Sequence, residues 1–272
     1  MPVHNGERFV GDAIASVQSQ DFQLWELLVI DDGSSDRTKA IVEQAQLADP
    51  RIRYAKNDEN LGIQKTLNKG IAMARGQYIA RIDYDDRWIE HDKLSRQVGF
   101  LDAHDDYALV GTGMVVVDEQ GNELSRVLNP ETDQAIRSRI LGKNCFTHSS
   151  VLFRTDAVKV LGGYSESSDV RHMEDYELWL RMGVKHKFAN LPLYGVAWML
   201  RQSSVSGTYK YTQFKNDIAV AAKYRDKYPG YWAGLLRNCA RLVLYGMLGF
   251  IPFLSAKYAA VRVYAKLFRR SP

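Results

Sequence analysis

The sequence predicts an α/β protein: a doubly wound, mostly parallel sheet with flanking helices, followed by a C-terminal helical appendage. Three observations carry this reading. Solid apolar runs such as Leu27-Leu28-Val29-Ile30 have the pattern of strands buried on both faces. Stretches with apolar residues at helical spacing alternate with them, and a β-α-β-α-β order folds into a parallel sheet covered by helices. After Asp226 no Asp or Glu occurs, so the last part of the chain has a separate character.

The elements follow in order. Between Glu7 and Gln20, Val10, Ala13, Ile14 and Val17 form one helical face. Leu27 to Ile30 is the first solid strand. Ser34 or Ser35 is the expected N-cap, with Asp36 in the first turn, of a helix aligning Ile41, Ala45 and Ala48. Arg51 to Ala55 is a strand, Ile63, Leu67, Ile71 and Ala74 mark a helix, and Gln77 to Asp83 is a further strand. With 272 residues, 46% hydrophobic and 25% charged, the chain can bury a full core, which excludes a disordered chain or a small stapled scaffold.

Cys145 and Cys239 are too few for a disulfide framework or a thiolate metal site and suit a reducing compartment. Residues 1–7 show no basic region followed by an apolar run, so a cytoplasmic protein is expected. The net charge of +4 is uneven: Lys227, Arg237, Arg241, Lys257, Arg262, Lys266, Arg269 and Arg270 face no acid in their own segment. Leu242 to Ala256 is uncharged but interrupted by Gly246, Gly249 and Pro252, and is shorter than the roughly 20 residues a spanning helix needs. Two readings remain open for residues 207–272: a helical hairpin packed on its own domain, or a peripheral contact with an anionic membrane surface at the cytoplasmic face. Nucleic acid is not an expected partner.

Two strands end in acid. Ile30 runs into Asp31-Asp32-Gly33-Ser34, and Ile82 into Asp83-Tyr84-Asp85-Asp86. Ligands of open parallel sheets bind beyond the carboxyl ends of the strands, so these carboxylates converge on one crevice. Like charges within about 4–6 Å raise one another's pKa values, whereas a divalent cation lets them stay ionised. A lone Asp-Asp-Gly-Ser is more often a turn or helix cap; two acidic strand ends in one β-α-β pattern favour a ligand site. Asp83 and Asp85, at i and i+2, fall on one side of an extended strand end.

With these motifs the chain resembles the family 2 glycosyltransferases of GT-A fold, inverting enzymes that use nucleotide-sugars. The resemblance runs from Pro2 to about Ser206, through Pro2-Val3-His4-Asn5, Leu28-Val29-Ile30-Asp31-Asp32-Gly33-Ser34, Asn60-Leu61-Gly62, Leu67-Asn68-Lys69-Gly70, and Asp83-Tyr84-Asp85-Asp86. It continues with His148-Ser149-Ser150-Val151, Gly162-Gly163-Tyr164, Glu174-Asp175-Tyr176-Glu177 and Arg201 with Ser204-Val205-Ser206. It implies a GT-A domain over residues 1–206, with a nucleotide-binding half (1–105) and an acceptor half (106–206). Pro2, Val3 and Asn5 with Asp31 and Asp32 would hold base and ribose of the donor, a UDP-sugar by expectation. Asp85 would bind Mg²⁺ or Mn²⁺ at the diphosphate, with Asp83 and Asp86 as further metal ligands or, for Asp86, a ribose contact. Hard oxygen ligands suit these ions, which keep waters and bind through one or two carboxylates plus substrate phosphates.

In the acceptor half the resemblance implies Asp175, paired with Glu174, as the general base that deprotonates a hydroxyl of a glycan or lipid-linked acceptor. Tyr176, Trp179 and Leu180 form a helical face that anchors the pair; taken alone, the pair reads equally as acid in a first helical turn. His148 could reach the diphosphate, the metal or the acceptor, or serve structure only. Arg201 follows an apolar stretch and has the planar charged fork suited to a diphosphate, with a surface ion pair as the plain alternative; Lys65 and Arg81 are weaker versions of that idea.

Three positions depart from the family pattern. An apolar strand usually precedes the Pro-Val segment, but Met1 directly precedes Pro2. The expectation is a groove with unpaired backbone and lost burial, and either a start farther upstream or a truncated, poorly stable chain. His4 stands where Tyr is common, and Gln202 where a His follows the Arg. Two other functions compete with the transferase: a non-catalytic nucleotide-sugar or glycan-binding module, and an Asp-based phosphohydrolase using Asp83-Tyr84-Asp85.

Overall fold

The computed structural model describes residues 1–201 and 210–249. Gln202, the Ser204-Val205-Ser206 segment and the basic residues from Lys257 onward lie outside the described residues. The chain forms two compact units, residues 1–136 with 145–201, and residues 137–144 with 202–272.

In the first unit β1 (Pro2–Val3), β2 (Leu27–Asp31) and β3 (Ile52–Lys56) make a parallel sheet in the order β1-β2-β3. Helices α1 (Val10–Gln18), α2 (Thr38–Ala48) and α3 (Ile63–Met73) connect and cover it, as the apolar spacing predicts. Val10, Ala13, Ile14 and Val17 are all buried, so the face read from α1 is the packed one. The cap of α2 differs from expectation: Asp36, not Ser34 or Ser35, accepts from the Thr38 amide at 3.0 Å. Ser34 is turned toward the Asn5 amide instead, at 2.9 Å.

The second sheet has the order β4-β8-β6-β9-β5, from β4 (Tyr78–Ala80), β5 (Arg87–Trp88), β6 (Tyr107–Val117), β8 (Leu152–Arg154) and β9 (Lys187–Met199), with β7 (Glu123–Val127) on β6. The α/β class holds, but the parallel arrangement belongs to the first half. In the second sheet only β6 with β9 is parallel. The reason is connection length. β6 and β7 are joined by a tight turn in which the Gly121 amide donates to Asp118 O at 3.0 Å, and a short hairpin can only be antiparallel. The strand read as Gln77 to Asp83 is cut to three residues and pairs antiparallel with β8. One apolar core joins the sheets, from Val3 and Val29 to Ile82, Trp88, Val110, Leu152 and Val196.

A cavity of about 500 Å³ lies between Met1, Leu28 and Ile30 on one side and Tyr78, Ile79 and Leu152 on the other. Its borders are sheet edges, because among the described residues β1 pairs only with β2 and β4 only with β8.

Lys93 opens α4 (Lys93–Asp102) and is fully buried. Its ammonium donates to Gln97 Oε1 at 2.7 Å and lies 4.1 Å from the centre of the Trp88 ring. Gln97 Nε2 donates to Val110 O and Ser150 O, and Trp88 Nε1 to Ser149 O, so this group supports the segment that carries Ser149. Burial lowers the Lys93 pKa to about 7. The unfolded chain, with an ordinary lysine, binds the extra proton between about pH 7 and 10.4, so stability rises with pH across that window. Lys93→Met should therefore be more stable than the parent at pH 7 and lose that advantage by about pH 10. Urea midpoints at the two pH values check this, and a difference independent of pH would refute it.

Helix α5 (Asp133–Ile140) carries the boundary between the units. It is followed in chain order by α6 (Thr155–Val160) and α7 (Glu174–Met182) of the first unit. The second unit contains α8 (Lys210–Lys223) and α9 (Tyr231–Gly249). One face of α9 rests on residues 137–144. A Cβ at Gly234 would lie 2.9 Å from the Gly142 amide nitrogen, and Arg241 donates to Gly142 O at 2.8 Å. Among the described residues no helix is long and apolar enough to cross a membrane.

Candidate active site

The carboxyl end of β2 is held by its own acids. Asp31 is fully buried and accepts from the Ser34 amide at 2.7 Å and from the Tyr54 hydroxyl at 2.6 Å. Asp32 accepts from Asn57 Nδ2 (2.8 Å), the Leu61 amide (2.9 Å) and the Gly62 amide (3.0 Å), which gathers the Asn57 to Gly62 loop onto the strand end. Burial alone would raise the Asp32 pKa, but these hydrogen bonds, led by Asn57, bring it below the ordinary value. Gly33 has φ +76°, and a Cβ there would meet the Glu59 carbonyl carbon at 2.8 Å, so only glycine fits this turn. Asn5 Oδ1 accepts from the Ser35 amide at 3.0 Å, and His4 Nδ1 lies 2.9 Å from Asp32 O. The Pro2-Val3-His4-Asn5 and Asp31-Asp32-Gly33-Ser34 motifs are thereby one structural piece.

The second acidic segment follows β4 and abuts the first. A Cβ on Gly6 would fall 2.5 Å from Val3 Cγ2 and 2.8 Å from Tyr84 Cδ2, so the exit of β1 touches the Asp83 to Asp86 segment. This segment is a turn rather than an extended end, with the Asp86 amide donating to Asp83 O at 3.2 Å. The same-side reading of Asp83 and Asp85 is corrected accordingly, because β4 has already ended at Ala80. Asp83 meets the buried Arg81 at 2.5 Å and accepts from Ser149 Oγ at 3.2 Å. Asp86 is bonded to Ser149 Oγ and accepts from the Met199 amide at 2.9 Å. Asp85 is paired with Arg201, whose guanidinium also donates to the Tyr84 hydroxyl at 3.2 Å and lies 5.4 Å from the centre of the Phe9 ring.

These carboxylates differ in charge state for stated reasons. Burial would raise Asp83, but Arg81 holds it below the ordinary value. Burial, then the charge of Asp83, push Asp85 up to about 6 against the opposing pull of Arg201. Asp86 is raised well above its usual range by burial and then by Asp83 and Asp85. This is the mutual strain expected of clustered like charges.

The acceptor-half residues gather around Tyr164. His148, in a single 3₁₀ turn, places Nε2 2.8 Å from the Tyr164 hydroxyl. Burial, then Arg81, drive its pKa well below 6.5, leaving a neutral ring. Asn68 holds the backbone of Tyr164 through two hydrogen bonds of 2.8 and 2.9 Å, which gives the Leu67-Asn68-Lys69-Gly70 and Gly162-Gly163-Tyr164 motifs a shared purpose. Glu174 and Asp175 begin α7, and Tyr176, Trp179 and Leu180 are buried behind them, as the spacing predicts. Arg181 donates to Leu161 O and Gly163 O, both at 2.7 Å, fastening α7 to the glycine turn. Burial and then Asp175 raise Glu174 to about 7, and its Oε2 is buried without a hydrogen-bond partner. The Tyr164 hydroxyl feels Arg81, Asp175, Glu174 and Asp83 together, so the two acidic groups share one electrostatic neighbourhood.

Sequence reading gave no role to Ser149, Tyr164 or the Met199 amide, since hydroxyls and backbone groups leave no mark in periodicity. Arg81 was named only as a weak candidate. A charge amid Ile79-Ala80 and Ile82 was the available signal, and it proves to be the buried counter-ion of Asp83. Lys65 enters none of the interactions described for this site.

Among the described residues no three His, Cys, Asp or Glu side chains form a ready metal cage. The donor set nevertheless fits a cation shared with phosphates. Asp85 is paired with the Arg201 side chain, and Arg201 Nε is buried beside it with no hydrogen-bond partner among the described residues. One carboxylate plus phosphate oxygens is how Mg²⁺ is commonly held.

This combination of a nucleotide-type parallel sheet, an antiparallel partner sheet and acid at the junction defines a GT-A type glycosyltransferase fold. The chain belongs to the family described as Glycosyl transferase family 2, whose profile matches residues 1–162. It is 38% identical over 183 residues to the "Putative glycosyltransferase EpsE" of Bacillus subtilis, covering 66% of this chain and 64% of that protein. It is 32% identical over 228 residues to the Escherichia coli "UDP-Glc:alpha-D-GlcNAc-diphosphoundecaprenol beta-1,3-glucosyltransferase WfgD", covering 82% and 84%. The fold matches S. aureus TarS 1-349 in complex with UDP-GlcNAc at TM-score 0.72 and 18% identity, over 94% of this chain and 76% of that one. It also matches the mannosyltransferase PcManGT of Pyrobaculum calidifontis in complex with GDP-Man and Mn²⁺, at TM-score 0.66 and 16% identity, over 98% and 79%.

Proposed function

We propose that this chain is an inverting, metal-assisted glycosyltransferase that moves a sugar from a UDP-sugar to a hydroxyl of a glycan or lipid-linked acceptor. The observation that carries the reading is the electrostatic neighbourhood at Tyr164, where Arg81, Asp83, Glu174 and Asp175 act together and His148 Nε2 lies 2.8 Å from the hydroxyl. The names of the WfgD and TarS matches support UDP as the nucleotide, and WfgD supports a diphospholipid-linked acceptor.

In this mechanism Pro2, Val3, Asn5, Asp31 and Asp32 form the wall for base and ribose. Asp85, with Asp83 or Asp86, would hold Mg²⁺ or Mn²⁺, which neutralises charge developing on the leaving diphosphate. Arg201 turns from Asp85 to the diphosphate and supplies a second positive charge. Asp175 takes the proton of the acceptor hydroxyl as its oxygen attacks the anomeric carbon on the face opposite the diphosphate. The new glycosidic bond forms as the bond to UDP breaks, which inverts the centre. Glu174, near neutrality of charge at pH 7, keeps the base from facing a full second negative charge. His148, neutral and bonded to Tyr164, positions that hydroxyl between the two acid groups.

A donor screen that measures released nucleoside diphosphate tests the proposal. The expected result is UDP release from one UDP-sugar, dependent on Mn²⁺ or Mg²⁺ and increased by acceptor glycan. Saturable donor binding without UDP release would instead establish a binding module. Phosphate release from simple phosphate esters, with no nucleotide requirement, would establish a phosphohydrolase.

A further inference from the structure

Helix α9 (Tyr231–Gly249) has two opposite faces. Gly234, Asn238 and Arg241 are buried against residues 137–144, with Asn238 donating to Leu141 O at 3.4 Å and Arg241 to Gly142 O at 2.8 Å. At 100° per residue the other side carries Trp232, Leu236, Cys239 and Val243, spaced i, i+4, i+7 and i+11. Trp232 is 77% exposed, Leu236 73% and Val243 63%, and Cys239 is exposed as well. A helix that buries a glycine, an asparagine and an arginine while presenting tryptophan, leucine and valine has its larger apolar face turned outward. Exposed apolar side chains placed singly need no explanation, but a continuous stripe along three turns does.

We infer that this stripe docks on an anionic lipid bilayer, with α9 lying in the plane of the headgroups. Charge selects this occupant. From Lys227 to the last residue the sequence has eight Lys and Arg and no Asp or Glu, and Lys227 and Arg237 are exposed on or next to α9. A sequence segment that is basic and free of acid, with Lys227 and Arg237 exposed beside an apolar stripe, matches a surface that is apolar below and anionic above. Tryptophan at the edge of the stripe suits the boundary, where an indole has an apolar body and a polar N–H. Lying on the membrane is favoured over spanning it, because no helix among the described residues is long and apolar enough to cross. The inference does not rest on the transferase reading, since its observable is partitioning and not turnover.

The test uses the full chain with phosphatidylcholine vesicles prepared with and without phosphatidylglycerol. The chain should sediment with the phosphatidylglycerol vesicles, less so at high salt, and hardly at all with phosphatidylcholine alone. A Trp232→Ser, Leu236→Ser double variant should keep its thermal midpoint, because both side chains are exposed, and partition about tenfold or more weakly. In a second measurement that needs no destabilising change, bromine-labelled lipid should quench the emission of the parent, and Trp232→Phe should bind equally but lose most of the quenching. Equal partitioning of the double variant, or quenching unchanged in Trp232→Phe, would overturn the inference. So would a concentration-dependent dimer in lipid-free buffer that the same double substitution abolishes, which would assign the stripe to a second copy of the chain.

Discussion

Asp175→Asn is expected to bind donor as the parent does and to turn over about 10²–10⁴-fold more slowly. The substitution keeps the size of the side chain and removes its negative charge together with its capacity to take a proton. Donor affinity should survive because the residues assigned to the nucleotide belong to β1, the end of β2, the turn after β4 and Arg201 beyond β9, whereas Asp175 stands at the start of α7. The helix itself should stay in place. Trp179, Leu178 and Leu180 are fully buried, and Arg181 fastens α7 to the glycine turn independently of Asp175. Titration with UDP and single-turnover product formation separate the two quantities. Normal turnover in Asp175→Asn, with loss of turnover in Glu174→Gln, would transfer the role of base to Glu174.

The second large effect is expected at Asp85. Asp85→Asn should reduce the affinity for UDP in Mn²⁺ to the value measured with a chelator, leaving the metal-independent part unchanged. The three carboxylates differ in how firmly their partners hold them. Asp83 is tied to the buried Arg81, and Asp86 to Ser149 and the Met199 amide, inside the junction of the two sheets. Removing Asp83 would leave the buried Arg81 charge uncompensated, and removing Asp86 would leave Ser149 and the Met199 amide without their acceptor, so either change would disturb the fold along with the site. Asp85 is balanced by Arg201, whose guanidinium is held otherwise, among the described residues, by the Tyr84 hydroxyl and the Phe9 and Tyr84 rings. Were a divalent ion held at Asp85, the Arg201 guanidinium would be free to pair with the diphosphate instead. Isothermal titration with UDP, in Mn²⁺ and in chelator, reads the difference. An unchanged manganese-dependent increment would remove Asp85 from the metal site.

The first hundred residues were largely legible because their helices bury one clean apolar face and their strands are solid apolar runs. Val10, Ala13, Ile14 and Val17 specify α1, and Leu27 to Ile30 specify β2, with no help from the rest of the chain. The second sheet was less legible. Its strands pair through a hairpin and long-range contacts, and β4 is shortened by its partner β8, so pairing and not periodicity decides where it ends. The acidic strand ends were visible as pairs of motifs, but the counter-ions that make them chemically distinct were not. Arg81 reads only as a weaker candidate for the diphosphate, and Ser149 and Tyr164 only as members of family motifs with no role of their own.

The central claim is that the two acidic strand ends form one donor site in which a divalent ion and a diphosphate meet opposite Asp175. A crystal structure with UDP and Mn²⁺ tests it most directly, through the anomalous signal of manganese. The account requires a manganese peak on the Asp85 carboxylate, with uracil and ribose against Val3 and Asp31, the diphosphate in contact with Arg201, and open space for an acceptor beside Asp175. Manganese bound elsewhere, or UDP lying away from the Asp83 to Asp86 turn, would contradict it.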